Sequence, residues 1–305
     1  MKILFSSRIE PAERWLPLLK DLLKEDSFVT EPQDDVDVAI VATPPRGTLE
    51  KLGNAKLILS LWMGVEALLD DPGLPRKVPL ARVIDPGMVA AMTETVLAHT
   101  LDWHRRLYRY RAQQREGKWH RFRQYLASDH TVGILGLGTL GIACAQRLVP
   151  LGFNVAGWSR RPKAVPSVES FSGEKGLGEM LERSNVVVCL LPLTAGTRGV
   201  LGKDNIAKIR KGGGIINCAR GAHVVRDDLI AALDSGHIAH AWLDVFEKEP
   251  LAQGDPLWRH PSITITPHSA ALSETRTAVK EVAKAIEAVR RGERPPHLVD
   301  FSAGY

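Results

Sequence analysis

The chain has 305 residues, of which 44% are hydrophobic and 25% are charged, and its formal net charge is +5. These proportions are typical of a globular protein, and no long polar tract predicts disorder. The length suits two domains. The small positive charge favours an anionic small molecule as ligand and is too weak to indicate nucleic acid.

The three cysteines, Cys144, Cys189 and Cys218, lack the spacing of a disulfide framework or a metal site. Each lies among apolar or small residues, so we expect buried free thiols in a reducing compartment. The N-terminal apolar run is too short for a signal sequence, and no stretch approaches the roughly 18 apolar residues of a membrane span. The sequence therefore predicts a cytoplasmic protein without a membrane segment or a metal.

Short apolar runs alternate with segments of helical spacing in the first 90 residues. The runs lie at 3–5, 36–42 and 57–61, and residues 14–23 have helical spacing. This alternation predicts parallel strands connected by helices. Residues 88–114 keep helical spacing without a break and predict one long helix that crosses to a second lobe.

Six further apolar runs follow at the spacing of βα units: 131–135, 154–158, 186–190, 214–217, 241–245 and 263–265. They predict the six parallel strands of a dinucleotide-binding sheet. A final helix over 273–290, with Ser273 as its N-cap, returns the chain to the first lobe. The expected fold is α/β with two Rossmann-like, doubly wound parallel sheets. Residues 1–92 and 277–305 would form a discontinuous substrate domain, and 93–276 an NADP-binding domain.

A glycine-rich turn joins the first strand of the second lobe to a helix. Gly136, Gly138 and Gly141, with Thr139 and Leu140 between them, match the GxGxxG pattern. Glycine permits the tight turn and the close approach of a pyrophosphate, and the helix N-terminus supplies amide donors. The flanking strand and helix favour a dinucleotide site over a turn that is merely tight.

The next strand ends in Ser159-Arg160-Arg161, where NAD-binding sheets usually place an acidic residue for the ribose hydroxyl. A hydroxyl and two guanidinium groups suit a 2′-phosphate instead. The pattern favours NADPH over NADH; the alternative is a solvated basic turn.

Three later strand ends carry charged groups. Arg220 follows one strand and would hold a substrate carboxylate, although an isolated arginine could equally form a structural salt bridge. Asp244 and Glu249 follow the next, and His268 follows the last. A carboxylate bonded to His268 would favour the imidazolium form and make it a proton donor to a carbonyl oxygen. A lone histidine is more often structural, and nine others are present.

The glycine turn, NCARG, LDVFEKEP and TPHSA occur in this order, and together they resemble the D-isomer-specific 2-hydroxyacid dehydrogenase family. WSRRPK, LLPLTAGT, RGAHV, PLWRHP and the closing Gly304-Tyr305 resemble the bacterial members that reduce glyoxylate and hydroxypyruvate. The resemblance implies a flavodoxin-like substrate domain and NADPH-dependent reduction of glyoxylate to glycolate and hydroxypyruvate to D-glycerate. Preference between the two oxoacids stays open, because relatives tend to carry an aromatic residue near the position of Thr43.

The resemblance also implies residue roles. Arg220 binds the substrate carboxylate, Glu249 orients and charges His268, and His268 protonates the oxo group, while Asp244 contacts the nicotinamide carboxamide. Further expected cofactor contacts are Leu191, Pro192, Cys218, Ala219 and Ala270. Main-chain amides of Gly64 and Val65 would bind the carboxylate, with Trp62 and Met63 shaping the pocket.

Residues 104–123 contain eight Arg or Lys residues and one acid, interleaved with aromatic residues. Such a stretch could bind nucleic acid, but a solvated helix face is commoner. In the family it helps to build a dimer, and aromatic residues and arginine are enriched at interfaces. We expect a homodimer in which Trp119 approaches the partner's active site.

Two other function classes remain open at this stage. The same fold serves non-enzymatic NAD(P)-sensing corepressors, and fold alone does not exclude them. Other family members act on phosphite, formate or phosphoglycerate. The joint presence of Arg220, Glu249 and His268 favours catalysis, although some sensors also keep these residues.

Overall fold

The computed structural model describes residues 1–304; Tyr305, part of the closing motif quoted above, lies outside the described residues. The chain forms two compact units, one from Met1–Met88 together with the chain from Leu272 onward, the other from Val89–Ala271. Each unit contains its own parallel sheet, so the predicted α/β class with two parallel sheets is confirmed. The assignment of substrate and NADP roles to residues 1–92 with 277–305, and to 93–276, stays a prediction.

The strands are β1 (Lys2–Ser7), β2 (Ser27–Val29), β3 (Val38–Ala42), β4 (Leu57–Ser60), β5 (Leu80–Arg82), β6 (Thr131–Leu135), β7 (Asn154–Ser159), β8 (Glu169–Ser172), β9 (Val186–Cys189), β10 (Gly213–Asn217), β11 (Ile238–Leu243) and β12 (Ile263–Ile265). The α-helices are α1 (Ala12–Leu22), α2 (Glu66–Leu69), α3 (Pro86–His104), α4 (Leu107–Arg115), α5 (Thr139–Leu148), α6 (Gly173–Arg183), α7 (Lys203–Ile206), α8 (Arg226–Asp234) and α9 (Thr275–Arg290).

The sheet of the first unit has the strand order β2-β1-β3-β4-β5, which is the flavodoxin-like order. Its central strand β3 is buried along its whole length, as expected for a parallel strand covered on both faces. Helix α9 packs Ala278, Val282 and Ile286 into the same core as β1, β3 and β4. The C-terminal helix therefore belongs to the first unit.

The second unit has the order β12-β11-β10-β9-β6-β7-β8, a Rossmann arrangement with one strand added beyond the usual six. Only six strands were predicted from the apolar runs. The missed strand β8 is an edge strand of four residues, Glu169–Ser172, without a buried side chain. Hydrophobic patterning does not detect such a strand, because its pairing with β7 is made by the backbone.

The prediction of one unbroken helix over 88–114 is wrong. Helix α3 ends at His104, Arg106 adopts a left-handed conformation with φ +57°, and α4 begins at Leu107. The two helices differ in burial: α3 buries Met92, Val96 and Trp103 in the core, whereas α4 has no buried residue. The helical spacing of apolar residues continues through the break, because this spacing indicates that each segment is helical and not that the two segments share one axis.

The start of the last helix also differs from the prediction. Helix α9 begins at Thr275, and its N-cap is Glu274, whose side chain accepts a hydrogen bond from the Arg276 amide. Ser273 therefore precedes the cap. Among the nine helices of residues 1–304, each is too short or too polar to cross a membrane.

Candidate active site

The strand ends of the second sheet meet at one edge because neighbouring strands are parallel and in register. Asn217 pairs with Leu243, and Leu243 pairs with Ile265. Arg220 follows Asn217 by three residues and His268 follows Ile265 by three. The sheet thus brings the loops after β10, β11 and β12 side by side, where ligands bind in open α/β sheets.

The glycine turn lies at the point where the strand order reverses, between β6 and β9. Gly136 has φ +106°, and a Cβ there would lie 2.9 Å from the Leu190 carbonyl oxygen. A Cβ on Gly141 would lie 1.9 Å from the Gly136 oxygen, whereas one on Gly138 would meet no atom within 4 Å. Two glycines therefore permit close backbone packing, and the third leaves open space at the N-terminus of α5.

The first turn of α5 contains Thr139, Leu140 and Gly141, whose amides have no acceptor one turn earlier in the helix. Gly138 is the N-cap and supplies no side-chain acceptor for them. These amides and the open space at Gly138 form the kind of cradle that a pyrophosphate fills. The predicted dinucleotide turn therefore has the local geometry that such a ligand needs.

The loop after β7 carries the predicted phosphate-binding group. The Ser159 hydroxyl donates to the Arg161 carbonyl oxygen at 2.7 Å, which fixes the turn, and both arginine side chains are exposed. Sequence reasoning missed Lys163, whose ammonium donates to the Leu137 carbonyl oxygen at 2.6 Å. Leu137 also packs over Gly157, where a Cβ would lie 2.5 Å from its side chain. Lys163 thus ties this loop to the glycine turn.

The loops after β9 and β10 contain the next predicted residues. Leu191 is buried, and the Pro192 carbonyl accepts a hydrogen bond from the Thr197 hydroxyl at 2.7 Å. Cys218 and Ala219 are buried directly before Arg220. Their side chains face protein, so main-chain atoms are what these two residues would offer to a ligand.

Arg220 is fixed through its main chain and its side chain. The side-chain amide of Asn217 donates to the Arg220 carbonyl oxygen at 2.9 Å. One guanidinium nitrogen donates to the Ala219 carbonyl oxygen at 2.7 Å. Gly221 follows, and a Cβ there would lie 2.0 Å from the Phe246 carbonyl carbon. The arginine loop therefore packs directly on the backbone of the loop that carries Glu249.

Asp244 is only 2% exposed, and its carboxylate organises the loop after β12. It accepts hydrogen bonds from the Thr266 hydroxyl at 2.6 Å, from the Ser269 amide at 2.8 Å and from the Ala270 amide at 3.1 Å. A buried carboxylate with several donors is strongly held. Asp244 thus anchors the segment around His268, and its predicted contact with nicotinamide stays a prediction.

Glu249 and His268 form a direct pair. The imidazole Nδ1 lies 2.7 Å from one Glu249 carboxylate oxygen, and the other oxygen accepts a hydrogen bond from the Phe246 amide at 2.8 Å. The His268 side chain is 54% exposed and that of Glu249 is 33% exposed. His268 itself has φ +52°, and its amide donates to the Asp244 carbonyl oxygen at 2.8 Å. With Nδ1 engaged, Nε2 is the nitrogen available to a ligand.

The predicted substrate loop lies in the first unit, after β4. The Trp62 amide donates to the Ser60 hydroxyl oxygen at 3.1 Å, and the Trp62 indole donates to the Thr43 hydroxyl at 3.4 Å. The Met63 carbonyl accepts from Arg82 at 3.1 Å. Val65 is buried, so a ligand could reach its main chain but not its side chain. Gly64 lies between them, and the roles of all four residues stay predictions.

All three cysteines are free and buried, as predicted. Burial raises the pKa of the Cys144 thiol and of the Cys189 thiol to about 12, and it raises the pKa of Cys218 as well. A thiol that stays protonated is a poor nucleophile. None of the three has the environment of a reactive cysteine.

Sequence reasoning also treated His223 as one histidine among several. It is fully buried beside Arg220, and its ring contacts the Arg220 amide and the Pro192 carbonyl oxygen. Its position three residues after Arg220, within RGAHV, was the available signal. Nothing in composition or periodicity separates it from an ordinary core residue.

The sheet topology and the chemistry of these loops together define a dinucleotide-dependent dehydrogenase. Residues 97–270 match the model of the D-isomer specific 2-hydroxyacid dehydrogenase NAD-binding domain. A glyoxylate/hydroxypyruvate reductase A from Serratia proteamaculans is 40% identical over the full length of both chains. The chain belongs to the D-isomer specific 2-hydroxyacid dehydrogenase family.

Solved structures agree with this assignment. A D-isomer specific 2-hydroxyacid dehydrogenase from Xanthobacter autotrophicus Py2, in complex with NADPH and MES, is 38% identical with a TM-score of 0.96, covering 100% of this chain and 99% of that one. An NADPH-dependent glyoxylate/hydroxypyruvate reductase from Sinorhizobium meliloti, in complex with NADP and sulfate, is 32% identical with a TM-score of 0.93 and the same coverage. The predicted family and fold are confirmed.

Proposed function

We propose that the protein is an NADPH-dependent reductase of small 2-oxoacids, which converts glyoxylate to glycolate and hydroxypyruvate to D-glycerate. The observation that carries the proposal is the 2.7 Å contact between His268 Nδ1 and Glu249, in the loops next to that of Arg220. The relatives at 38–41% identity over most or all of the chain are named glyoxylate/hydroxypyruvate reductase A, which supports the same substrates.

The residues of the second sheet fit a bound dinucleotide. Gly138 leaves open space at the N-terminus of α5, where Thr139, Leu140 and Gly141 present main-chain amides. Leu191, Pro192, Cys218, Ala219 and Ala270 lie on the loops around the carboxyl edge of the same sheet. When bound, the reduced cofactor would supply a hydride to the carbonyl carbon of the substrate.

Three side chains would do the remaining chemistry. Arg220 offers a planar fork to the substrate carboxylate and so orients the adjacent carbonyl group. Glu249 holds Nδ1 of His268, which leaves Nε2–H directed away from the carboxylate, and this proton passes to the carbonyl oxygen as the carbon gains a hydride.

We further propose that Trp62, Met63, Gly64 and Val65 complete the substrate site. Their support is the position of the loop at the carboxyl end of β4, in a sheet of flavodoxin-like order. Main-chain amides of Gly64 and Val65 would add donors for the substrate carboxylate. Thr43 bonds the Trp62 indole and would set the width of one wall.

Preference for NADPH rests on the loop after β7. Arg160 and Arg161 are exposed and follow the strand that would place the adenine ribose, and the loop has no carboxylate for a free 2′-hydroxyl. Guanidinium groups bind phosphate oxygens by paired, charge-assisted hydrogen bonds. NADP(H) is therefore the proposed cofactor pair.

The test is a spectrophotometric assay of the purified protein with glyoxylate or hydroxypyruvate and with NADPH or NADH. We expect cofactor oxidation with both oxoacids and a higher kcat/KM for NADPH. A failure to oxidise either cofactor across a panel of small oxoacids would exclude the reductase and leave a non-enzymatic dinucleotide sensor. Equal efficiency with both cofactors would remove the proposed role of the two arginines.

We also propose a homodimer built on the arm formed by α4 and residues 116–125. The arm and the sheet edge flank an open groove of about 1000 Å³, lined among others by Tyr108, Arg109, Phe122 and His240. Trp119 is 92% exposed, which is unusual for tryptophan in an isolated subunit. A second copy that covers this face would bury the arm and bring Trp119 towards the partner's active site.

Sedimentation velocity tests the dimer directly, because it separates 33.5 kDa from twice that mass. Trp119→Ala is expected to raise the KM for the oxoacid if the dimer persists. An unchanged dimer with unchanged kinetics would remove Trp119 from the site, and a monomeric native protein would contradict the dimer itself.

We place the enzyme in the cytoplasm. The support is chemical: three free cysteines persist as thiols in a reducing compartment. Fractionation of the native host, followed by the reductase assay, tests this assignment.

A further inference from the structure

A fully buried histidine lies next to the proposed substrate-binding arginine and has no part in the function described so far. His223 ends a short 3₁₀ turn, Gly221–His223, which begins directly after Arg220. Its side chain is 0% exposed. Buried polar side chains are costly unless they are hydrogen-bonded, so the bonds of this ring decide what it does.

The contacts of His223 favour one neutral tautomer. The Arg220 amide donates to Nδ1 at 3.2 Å, which requires a lone pair on Nδ1, and the Arg220 carbonyl oxygen also lies 3.1 Å from this atom. The Nε2 atom lies 3.3 Å from the Pro192 carbonyl oxygen, so Nε2 must carry the proton and donate it. The imidazole therefore bridges the loop after β10 and the loop after β9, accepting on one side and donating on the other.

Two further contacts, made by Gly221 and by the His223 carbonyl oxygen, hold the same turn. A Cβ on Gly221 would lie 2.0 Å from the Phe246 carbonyl carbon, so the turn packs on the loop that carries Glu249. The amide of Leu201 donates to the His223 carbonyl oxygen at 2.9 Å. The Arg220 main chain is thus fixed between the loops after β9 and β11, and the His223 ring is the side chain that makes this connection to Pro192.

We propose that His223 is a positioning residue of the reaction. Its Nδ1 fixes the backbone from which the Arg220 guanidinium extends. Its Nε2–H is a second donor, beside the Thr197 hydroxyl, to the Pro192 carbonyl oxygen in the predicted cofactor loop. The two halves of one ring would therefore set two different properties: Nδ1 the binding of the oxoacid, and Nε2 the binding of the dinucleotide. The inference rests on the proposed function of Arg220 and Pro192.

Two conservative variants separate the two halves. In His223→Asn, the side-chain oxygen takes the place of Nδ1 and still accepts from the Arg220 amide, but the bond to Pro192 is lost. In His223→Gln, the terminal amide nitrogen takes the place of Nε2 and still donates to Pro192, but the acceptor for Arg220 is lost. His223→Leu removes both hydrogen bonds and fills the same space with an apolar side chain.

We expect His223→Asn to keep the oxoacid KM within about threefold and to raise the dissociation constant of NADPH, measured by fluorescence titration, by about tenfold. His223→Gln should do the opposite: NADPH binding within about threefold of the unmodified enzyme, and an oxoacid KM raised about 10- to 100-fold. A displacement of 1 Å in a positioning group changes rates by this order. His223→Leu should show both defects.

Binding of oxalate, an unreactive dicarboxylate, gives a readout that does not depend on turnover. Its affinity should fall in His223→Gln and not in His223→Asn. The matched control is His237→Leu, which removes another histidine whose Nε2 contacts a main-chain oxygen, that of Ile206 at 3.1 Å, away from these loops. It should lower thermal stability without moving either constant.

Parallel losses in the Asn and Gln variants, in proportion to a fall in melting temperature, would show that His223 only fills the core and would overturn the inference. The reductase assay of the unmodified enzyme keeps this failure separate from that of the function. If the unmodified enzyme turns over and the variants show no opposite effects, the inference alone fails. If the unmodified enzyme reduces no oxoacid, both fail.

Discussion

The loops after β6 and β7 and the loops after β10, β11 and β12 solve different problems at the same edge of one sheet. In the first pair, Gly138 has no side chain and leaves space for a ligand, and the cationic side chains of Arg160 and Arg161 are exposed to solvent. The second set is dense with side-chain bonds, as in the buried Asp244, which takes three donors from the loop after β12.

This difference has a consequence for function. A pyrophosphate is bound by many equivalent amides, so a single change in the first pair of loops alters affinity or preference. Proton transfer and carboxylate orientation depend on single groups held in one geometry, so a single change in the second set alters the rate. Single substitutions should therefore separate the two sets of loops, by cofactor affinity in the first and by rate in the second.

The largest effect is expected at His268, since no neighbouring group replaces its proton. His268→Gln should lower kcat by about 10²–10⁴-fold with little change in NADPH binding. The measurement is steady-state kinetics over pH 6 to 8, with His237→Gln as a control for the loss of a histidine elsewhere. A variant that kept the full rate over this range would show that the proton comes from another group.

Arg220 is expected to come next. Arg220→Ala should raise the oxoacid KM and lower kcat together, with kcat/KM reduced by about 10²–10³-fold, because the guanidinium both binds and orients the carboxylate. Arg220→Lys should recover only part of the loss, since a point charge does not offer a planar fork. A change in NADPH affinity as large as the change in oxoacid KM would contradict the proposal that the two sets of loops have separate functions.

The cofactor loops should respond differently. Replacement of both Arg160 and Arg161 by alanine should raise the KM for NADPH by about 10- to 100-fold and leave that for NADH nearly unchanged, because charge-assisted hydrogen bonds to a phosphate are lost. The saturated kcat should hold. Arg183→Ala, which removes an exposed arginine paired with Glu169 at 3.3 Å, is the control. Equal losses with the two cofactors would mean that the pair supports the fold and not the 2′-phosphate.

The smallest effect concerns stability in acid and lies outside both sets of loops. Burial lowers the pKa of His240 from the ordinary 6.5 of histidine to about 4. The charges of Arg111, His99 and His260 also lower this pKa, and that of Asp102 raises it. As pH falls, the His240 side chain therefore binds a proton at a higher pH in the unfolded chain than in the folded protein. Stability should be intact above pH 6.5 and decline between 6.5 and about 4, by at most about 1.4 kcal/mol per pH unit for this group.

Urea unfolding at pH 7 and pH 5 measures this decline. His240→Gln removes the titrating group and should reduce the difference between the two pH values. His130, whose pKa is also lowered to about 4 by burial, should account for a further part. An unchanged pH dependence in the His240 variant would mean that its ring is solvated in the native protein.

The sequence predicted the elements that hydrophobic patterning governs. Strands β6, β9 and β12 were located to within a residue of their observed bounds, because buried parallel strands read as continuous apolar runs. The pairing of Glu249 with His268 was predicted from the family resemblance; the residues alone indicated only that a carboxylate after one strand could reach His268 after the next. Parallel topology alone brings them to the same edge.

Features decided by tertiary contact were missed. The break at Arg106 interrupts a run of good helical spacing, because α3 follows the core while α4 leaves it. The bridging roles of Lys163 and His223 depend on partners 26 and 31 residues away, Leu137 and Pro192. No local pattern specifies a hydrogen bond of that range, and a polar residue at such a site reads like any other loop residue.

The three buried thiols of the second unit can report when its sheet opens. Cys144 follows the glycine turn, Cys189 ends β9 and Cys218 precedes Arg220, and all three are inaccessible in the closed fold. A maleimide dye would label them only when the sheet opens, so the labelling rate measures the population of the open form when reclosing is faster than labelling. A ligand that binds only the closed form lowers the population of the open form by the factor 1 + [L]/Kd, and the labelling rate falls by the same factor. The labelling rate of the native chain therefore measures cofactor affinity without an engineered label and without turnover.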